Sequence, residues 1–411
     1  MSAHDAERLR IATVYRHFNR SGSISSSYAD RAEWLAQVED VTAVCSASTR
    51  EATTGPLRFE TVEPLVQRRG RFSYAVECAS FALRAERLIR SARSRFDVVH
   101  VDGIAAFTGD LVTVHAVRGA ELEHYFTNVE PEARLRRALA PVARPQNGVV
   151  LLTERRLFRP PYPLCLAMTD EIAGDLQERY GVPGELIEVL PRGVDSARFC
   201  FDSAARDRVR ARFGTAPDRL VLLFVGDDFE RKGLERAIGA VASARTRPEL
   251  WIAGGGAADR YRATAAELGV TDRIRFLGHV SGEGLVPLLS AADALLLPSR
   301  QDAWGQTVLE AMASGRVVLV SRFSGVHKLV EDGSSGFVLD GPGSIEQMAS
   351  LIDGPVSEPE LRAAVGDRAV GVARRLDLVA LHRRFRDAVH RAYARRQARE
   401  GRPAESDAGG G

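Results

Sequence analysis

The 411 residues include 45% hydrophobic side chains, enough for two domains with a core each, and a net charge of +2 marks no polyanion partner for the chain as a whole. No apolar run approaches the roughly 20 residues that span a bilayer, and the first residues lack the apolar core of a secretory signal. Cys45, Cys78, Cys165 and Cys200 stand far apart without a C-x-x-C pair, which speaks against a disulfide framework or a zinc site, so the expected setting is the reducing cytoplasm.

Along the chain, short β-branched runs alternate with amphipathic stretches, the rhythm of βαβ units around parallel sheets. "RIATVY" (10–15) reads as a strand and "YADRAEWLAQ" (28–37) as a helix, followed by strands in "VTAVCSA" (41–47), "FDVVHVDG" (96–103) and "DLVTVHA" (110–116). "LCLAMTDEIAGDLQERYG" (164–181) is a strand entering a helix that Gly181 stops. "LPRGVDSARFCFDSAARDR" (190–208) reads as a linker, and a second series of the same kind begins near residue 219. Its strands are "RLVLLFVGDD", "ELWIAGGG", "RIRFLGHV", "ADALLLP" and "RVVLVS", each but the last followed by helical text. The two halves predict two doubly wound sheets, and the charged, Gly-rich end (395–411) predicts disorder.

Two stretches of the second half carry chemistry. "SRQDAWGQTVLEAMASG" (299–315) leaves the apolar run "ADALLLP" through a loop and enters a helix from about Gln306, with Asp302 on the loop and Glu310 in the early helical turns. Ligands of open α/β sheets bind beyond the carboxyl ends of the strands. A carboxylate there can accept both hydroxyls of a ribose or sugar diol, and the first turn of the helix, at Gln306 and Thr307, offers free N–H groups to a phosphate. Acids eight apart also arise by chance, so the neighbouring motif matters. "VGDDFERKG" (225–233) ends in Arg231 and Lys232 at an expected helix start, where the dipole favours negative charge. A bound diphosphate would satisfy both cations, and two solvated surface cations are the alternative. Of the 56 basic residues only Lys232 and Lys328 are lysine.

In order and spacing, "LFVGDDFERKGLERAI", "LWIAGGG", "IRFLGHV", "ADALLLPSRQDAWGQTVLEAMASGRVVLVS" and "GVHKLVEDGSSGFVL" resemble the retaining glycosyltransferases of family 4. "VLPRGVDSARF" (189–199) is similar to the segment that joins their domains, and "GDDFERKG", "LTERRLF" and "LAMTDEIAGDL" look most like the branch with the lipopolysaccharide-core glucosyltransferases. The resemblance implies the GT-B fold, an α/β architecture of two Rossmann-like, doubly wound parallel-sheet domains facing across a cleft. It implies an acceptor-side domain at 1–190, a nucleotide-sugar domain at 191–375, a crossing helix at 376–397 and a disordered tail at 398–411.

By the same resemblance Glu310 holds the ribose of the donor and Asp302, where the family usually has glutamate, lies by the transferred sugar. Arg231 and Lys232 grip the diphosphate. Gly226 lines the donor site, and Ala303, Trp304 and Gly305 bring backbone to the donor sugar, with Gln306 and Thr307 behind them. His115 in "VTVHA" contacts that sugar, a lone core histidine being the other reading. Gly22, in "RSGSISSSY", matches a loop that often carries two glycines. Arg192 and Lys328 depart from the usual Asn and Glu.

The implied reaction transfers a hexose, with UDP-glucose the first choice of donor, to a glycan, a lipid-linked sugar or a small molecule, with retention at the anomeric carbon. No cofactor or metal is expected, because Arg231, Lys232 and helix N–H groups can take the charge of the leaving diphosphate. No nucleic-acid partner is expected. Seven arginines among apolar residues at 132–161 suggest a peripheral contact with anionic membrane on its inner face, ordinary solvated helices being the alternative. A natural-product glycosyltransferase, another GT-B enzyme such as a phosphorylase, and a non-catalytic nucleotide-sugar-binding protein are the rival readings.

Overall fold

The computed structural model describes residues 8–19, 23–51, 53, 55–66, 71–124, 145–280 and 282–401. The chain divides into two compact units, one of Met1–Pro191 with Ala380–Gly411 and one of Arg192–Val379.

Among the described residues the first unit is built on seven parallel strands: β1 (Arg10–Val14), β2 (Asp40–Cys45), β3 (Arg58–Thr61), β4 (Val98–Asp102), β5 (Leu111–Val114), β6 (Leu164–Ala167) and β7 (Ile187–Val189), in the order β3-β2-β1-β4-β5-β6-β7. β4 and β5 are buried along their whole length, as expected of parallel strands with both faces covered. Ile11 pairs with Val41 on one side and Val98 on the other, so β1 and β4 flank the point where the strand order reverses. The helix after β1 starts at Ser23 rather than at Tyr28. The helix Asp170–Tyr180 opens on a Thr169 side-chain cap and closes on Gly181, whose φ of 65° is the left-handed conformation glycine adopts freely.

The helix Leu378–Arg399 belongs to this unit from Ala380 onward. Glu39, 1% exposed, accepts from Arg386 Nε at 2.6 Å and from His390 Nε2 at 2.9 Å. Burial alone would raise its carboxyl, but His390, Arg386 and the Leu9 N–H outweigh that and hold it below its ordinary value. The helix extends beyond the expected limit at 397, because Arg396 is tied to the carbonyls of Phe96 and Asp97 and pairs with Glu400 at 2.8 Å. Residues 402–411, the rest of the expected tail, lie outside the described residues.

Among the described residues the second unit has six parallel strands: β8 (Val221–Val225), β9 (Glu249–Ala253), β10 (Ile274–Gly278), β11 (Ala294–Leu297), β12 (Val317–Ser321) and β13 (Phe337–Leu339), in the order β10-β9-β8-β11-β12-β13. This is the Rossmann order, with its switch point between β8 and β11. The amino ends of those two strands are tied by Asp293, which accepts from Arg206 at 2.7 Å, Arg210 at 2.8 Å and the Val221 N–H at 2.8 Å. Their carboxyl ends are left for the site. The expected linker is shorter than 190–208, because Asp202 caps a helix at Ser203–Phe213. Val194 pairs with the later passage of the chain through Leu376 O and Leu378 N. No helix among the described residues is long and apolar enough to cross a membrane.

Candidate functional site

At the carboxyl end of β8 the chain turns at Gly226 (φ 151°), against which the stem of Lys232 packs. A side chain there would meet Lys232 Cγ at 3.0 Å, and one at Gly254 would run into the Gly226 carbonyl. Asp228 then caps a single helical turn, Phe229–Lys232, by accepting from Arg231 N at 3.1 Å. Gly233 (φ 79°) ends that turn before the next helix begins at Leu234. Arg231 and Lys232 therefore stand in the last turn of a helix, where the dipole favours cations. They also stand just before the longer helix Leu234–Ser243, so the expected place at a helix start holds, with the cations in a separate single turn ahead of it and not inside it.

The loop after β11 is zipped onto the chain that follows β12. Asp302 N donates to Phe323 O at 2.9 Å, and Gly325 N donates to Asp302 O at 3.0 Å. The Trp304 carbonyl accepts from Val326 N at 2.7 Å and from Ser324 Oγ at 2.9 Å. Gly305 turns with φ 97°, in a space that a β-carbon would share with Ser324 Oγ. With the Trp304 carbonyl so committed, this segment offers a ligand N–H groups: those of Gln306 and Thr307 open the helix Gln306–Ala313 and have no preceding turn to bond.

The two loops meet. Arg300 N donates to Arg231 O, and Arg231 Nη1 donates to Gln301 O, each at 2.8 Å. Lys232 Nζ donates to Asp302 Oδ2, and Asp302 Oδ1 lies 4.0 Å from Arg231 Nη1. Each cation is thus already countered, Lys232 by Asp302 and Arg231 by Asp228 at 3.3 Å. Gln306 accepts from Trp304 Nε1 at 3.2 Å and donates to Gly193 O at 3.0 Å, fastening the helix to the segment that carries Arg192. One turn on, burial pushes the Glu310 carboxyl up to about 7, although Arg192, Arg198 and Gln306 pull it down. Ala303 is half-buried beside Trp304, and Lys328 is exposed in the short turn Gly325–Leu329.

In the first unit His115 follows β5 and is 8% exposed. Its Nε2 lies 2.5 Å from Asp102 Oδ1 at the end of β4, and Arg31 donates to the other oxygen of the same carboxylate. Burial alone would raise the Asp102 carboxyl; His115 and Arg31 outweigh it and hold it well below its ordinary value.

The structure therefore gathers Arg231, Lys232 and Asp302 into one cluster at the switch point and sets Gly226, Gln306 and Glu310 on the elements that build it. Gly22 lies outside the described residues. Sequence reasoning missed Asp102 and Arg31. An acid closing the apolar run "VVHVD" was the available signal for the first, and nothing in the sequence marked the second among 54 arginines.

Residues 26–198 match the family model described as Glycosyltransferase Family 4, and residues 205–371 match that described as Glycosyl transferases group 1. The lipopolysaccharide glucosyltransferase WaaG of Escherichia coli (strain K12) is 31% identical over 231 residues, 54% of this chain and 61% of that protein. A D-inositol 3-phosphate glycosyltransferase of Acidothermus cellulolyticus is 33% identical over 216 residues, 49% of this chain and 47% of that protein. The chain thus spans about half to three-fifths of the length of these curated relatives. Among solved structures, that of WaaG superimposes with a TM-score of 0.77 over 92% of this chain and 99% of its own, at 23% identity. Anabaena HepE in complex with UDP and glucose gives 0.69 over 93% and 100%, at 17% identity, so these two likenesses speak for the fold alone.

Proposed function

The chain belongs to glycosyltransferase family 4 and has the GT-B fold, and on that premise we propose that it transfers a hexose from a nucleotide sugar to an acceptor hydroxyl with retention of anomeric configuration. The observation that carries this reading is the Arg231–Lys232–Asp302 cluster at the switch point of the second unit, with Glu310 on the helix that follows. Two cations and the first N–H groups of a helix suit a diphosphate, and a carboxylate suits a ribose diol. UDP-glucose is the proposed donor: the WaaG relative is named a glucosyltransferase, and HepE was solved with UDP and glucose.

Breaking the bond between the anomeric carbon and the phosphate oxygen leaves positive charge on the sugar and negative charge on the diphosphate. In the proposed mechanism Lys232 passes from Asp302 to the diphosphate, joined by Arg231 and the N–H groups of Gln306 and Thr307. Asp302 then faces the sugar. His115 is the further residue proposed to contact that sugar. The acceptor oxygen bonds to the anomeric carbon on the face the phosphate leaves, and its proton goes to the departing phosphate oxygen. On this reading the protein's own cations take the charge, and turnover survives chelation of divalent metal.

The acceptor is proposed to be a cell-envelope glycan or lipid-linked sugar, the class the WaaG name indicates; a small polyol phosphate is the second reading, favoured by the inositol phosphate relative. The test is to incubate the protein with UDP-, GDP-, dTDP- and ADP-sugars, with and without EDTA, and to follow both binding and release of nucleoside diphosphate. Slow release from one donor, insensitive to EDTA and lost in Glu310→Ala, is the expected result. Absence of binding to every donor overturns the reading. Flotation with anionic vesicles separates the acceptor classes, since a membrane-borne acceptor predicts co-flotation and a soluble one does not.

A further inference from the structure

Asp102 divides its carboxylate between two donors: Oδ1 faces His115 Nε2 at 2.5 Å, and Oδ2 accepts from Arg31 Nη2. The acid is 0% exposed, so neither bond is diluted by solvent. Arg31 is itself held from behind. Its guanidinium lies 4.7 Å from the centre of the Phe385 ring, on the terminal helix, and its buried Nε meets no acceptor among the described residues. Two more titratable groups pack here among the described residues, His100 and Tyr28. His100 bridges Thr13 Oγ1 and Thr113 Oγ1, each at 2.9 Å, and burial followed by the charge of Arg31 pushes it down to about 3. The Tyr28 hydroxyl donates to Thr13 O at 2.9 Å, and burial raises it well above the ordinary phenol value.

Which ring nitrogen of a histidine carries the proton is set by the bond the other nitrogen makes. A carboxylate accepts only, so Asp102 calls for the proton on Nε2. That leaves Nδ1 as an acceptor, and its neighbour at 2.8 Å is Met168 Sδ, a thioether with no hydrogen to give. Methionine is unbranched and swings readily. A sugar hydroxyl taking the place of Sδ would give Nδ1 the donor it lacks.

We infer that Asp102, anchored by Arg31, is a positioning residue that keeps the proton of His115 on Nε2 and presents Nδ1 as the hydrogen-bond acceptor for a hydroxyl of the transferred sugar. The inference rests on the proposed function, in which His115 meets the donor sugar. It adds two residues of the first unit to the reaction, neither of which touches substrate.

The test reads the tautomer and the kinetics separately. Imidazole nitrogen NMR of the full chain, with His115 assigned by His115→Gln, is expected to show a protonated Nε2 and a bare Nδ1. Asn at position 102 has one acceptor, which Arg31 claims, so its amide N–H faces the ring. Asp102→Asn is therefore expected to move the proton to Nδ1 and to lower kcat/KM for the donor about 10- to 100-fold, as losses of orienting partners do, with the acceptor KM unchanged. Arg31→Gln leaves the carboxylate on the ring and is expected to keep the proton on Nε2. A wild-type protein with the proton on Nδ1, or an Asp102→Asn protein that keeps it on Nε2, overturns the inference. The wild-type and Arg31→Gln spectra decide it even if Asp102→Asn does not fold. If the tautomer moves while His115→Ala and Asp102→Asn both turn over at the wild-type rate, the hydroxyl contact is overturned and the tautomer lock stands.

Discussion

The Lys232 ammonium and the Asp302 carboxylate, 70 residues apart in sequence, form one ion pair, and the other oxygen of that carboxylate lies 4.0 Å from the Arg231 guanidinium. The acid proposed to sit by the donor sugar thus also holds the cation proposed to grip the diphosphate.

On that proposal substrate diphosphate and Asp302 compete for Lys232. Asp302→Asn is expected to tighten binding of UDP alone about tenfold, at the lower end of the 1.5–3 kcal/mol of a hydrogen bond to a charged group, while turnover of the nucleotide sugar falls. Lys232→Ala is expected to lose about 100- to 1,000-fold in turnover, the 2.7–4 kcal/mol typical of one preorganised electrostatic contact. Calorimetry and steady-state kinetics on the pair of variants check both. Weaker UDP binding by Asp302→Asn would show that Asp302 supports the grip on the diphosphate instead of opposing it.

Glu310 supplies a pH dependence. Burial pushes its carboxyl from an ordinary 4.5 up to about 7. The folded chain therefore keeps a proton that the unfolded chain releases, and the stability this gives is full below about pH 4.5 and is lost as pH rises to about 7. Donor binding runs the other way. On the proposed function the two ribose hydroxyls need the ionised carboxylate, so affinity for a nucleotide sugar should fall by up to about tenfold per unit as pH drops below 7 and level off above it. Calorimetry from pH 5.5 to 8 checks this, and Glu310→Gln should bind weakly and without that slope.

Gly305 tests the loop that carries Trp304. Its φ of 97° and the nearness of Ser324 Oγ and Val326 Cγ1 leave no room for a β-carbon. Gly305→Ala is expected to destabilise the second unit by about 2 kcal/mol, combining left-handed strain with the steric contact. That corresponds to about 4–8 °C in Tm for a unit of this size. Thermal unfolding followed near Trp304 reads it.

Asp293 is the test away from the site. Arg210 is 3% exposed and has its carboxylate partner in Asp293. Asp293→Ala leaves that guanidinium buried without its counter-charge, and the expected loss is about 3–5 kcal/mol. Denaturant unfolding checks it, and nucleotide affinity in the folded fraction should be unchanged, because the bond lies at the amino ends of the strands.

Much of the fold was legible because buried parallel strands are written as apolar runs. β4, β5, β8 and β11 all fall inside segments recognised that way, and Gly181 closes its helix as its position implied. β3 was not legible: "RFET" lies at the sheet edge with no fully buried residue, so nothing forces an apolar pattern on it. The helix expected to start at Arg231 begins at Leu234 for a local reason. Gly233 separates it from the turn Phe229–Lys232, and a β-carbon there would strike the Pro298 carbonyl, a neighbour that exists only once β11 lies beside β8.

The sequence by itself determined the two series of parallel strands, the family, and the residue types expected around a nucleotide sugar, since all of these are carried by local pattern and motif order. Only the tertiary structure decided that Lys232 is spent on Asp302, that Gln306 is fastened to Gly193, and that Arg31 and Asp102 stand behind His115. The physical reason is the winding of the sheets: each crossover returns the chain to the same edge, so residues far apart in sequence become neighbours at the carboxyl ends of adjacent strands, and their pairing is set by strand order, which no local stretch of sequence contains.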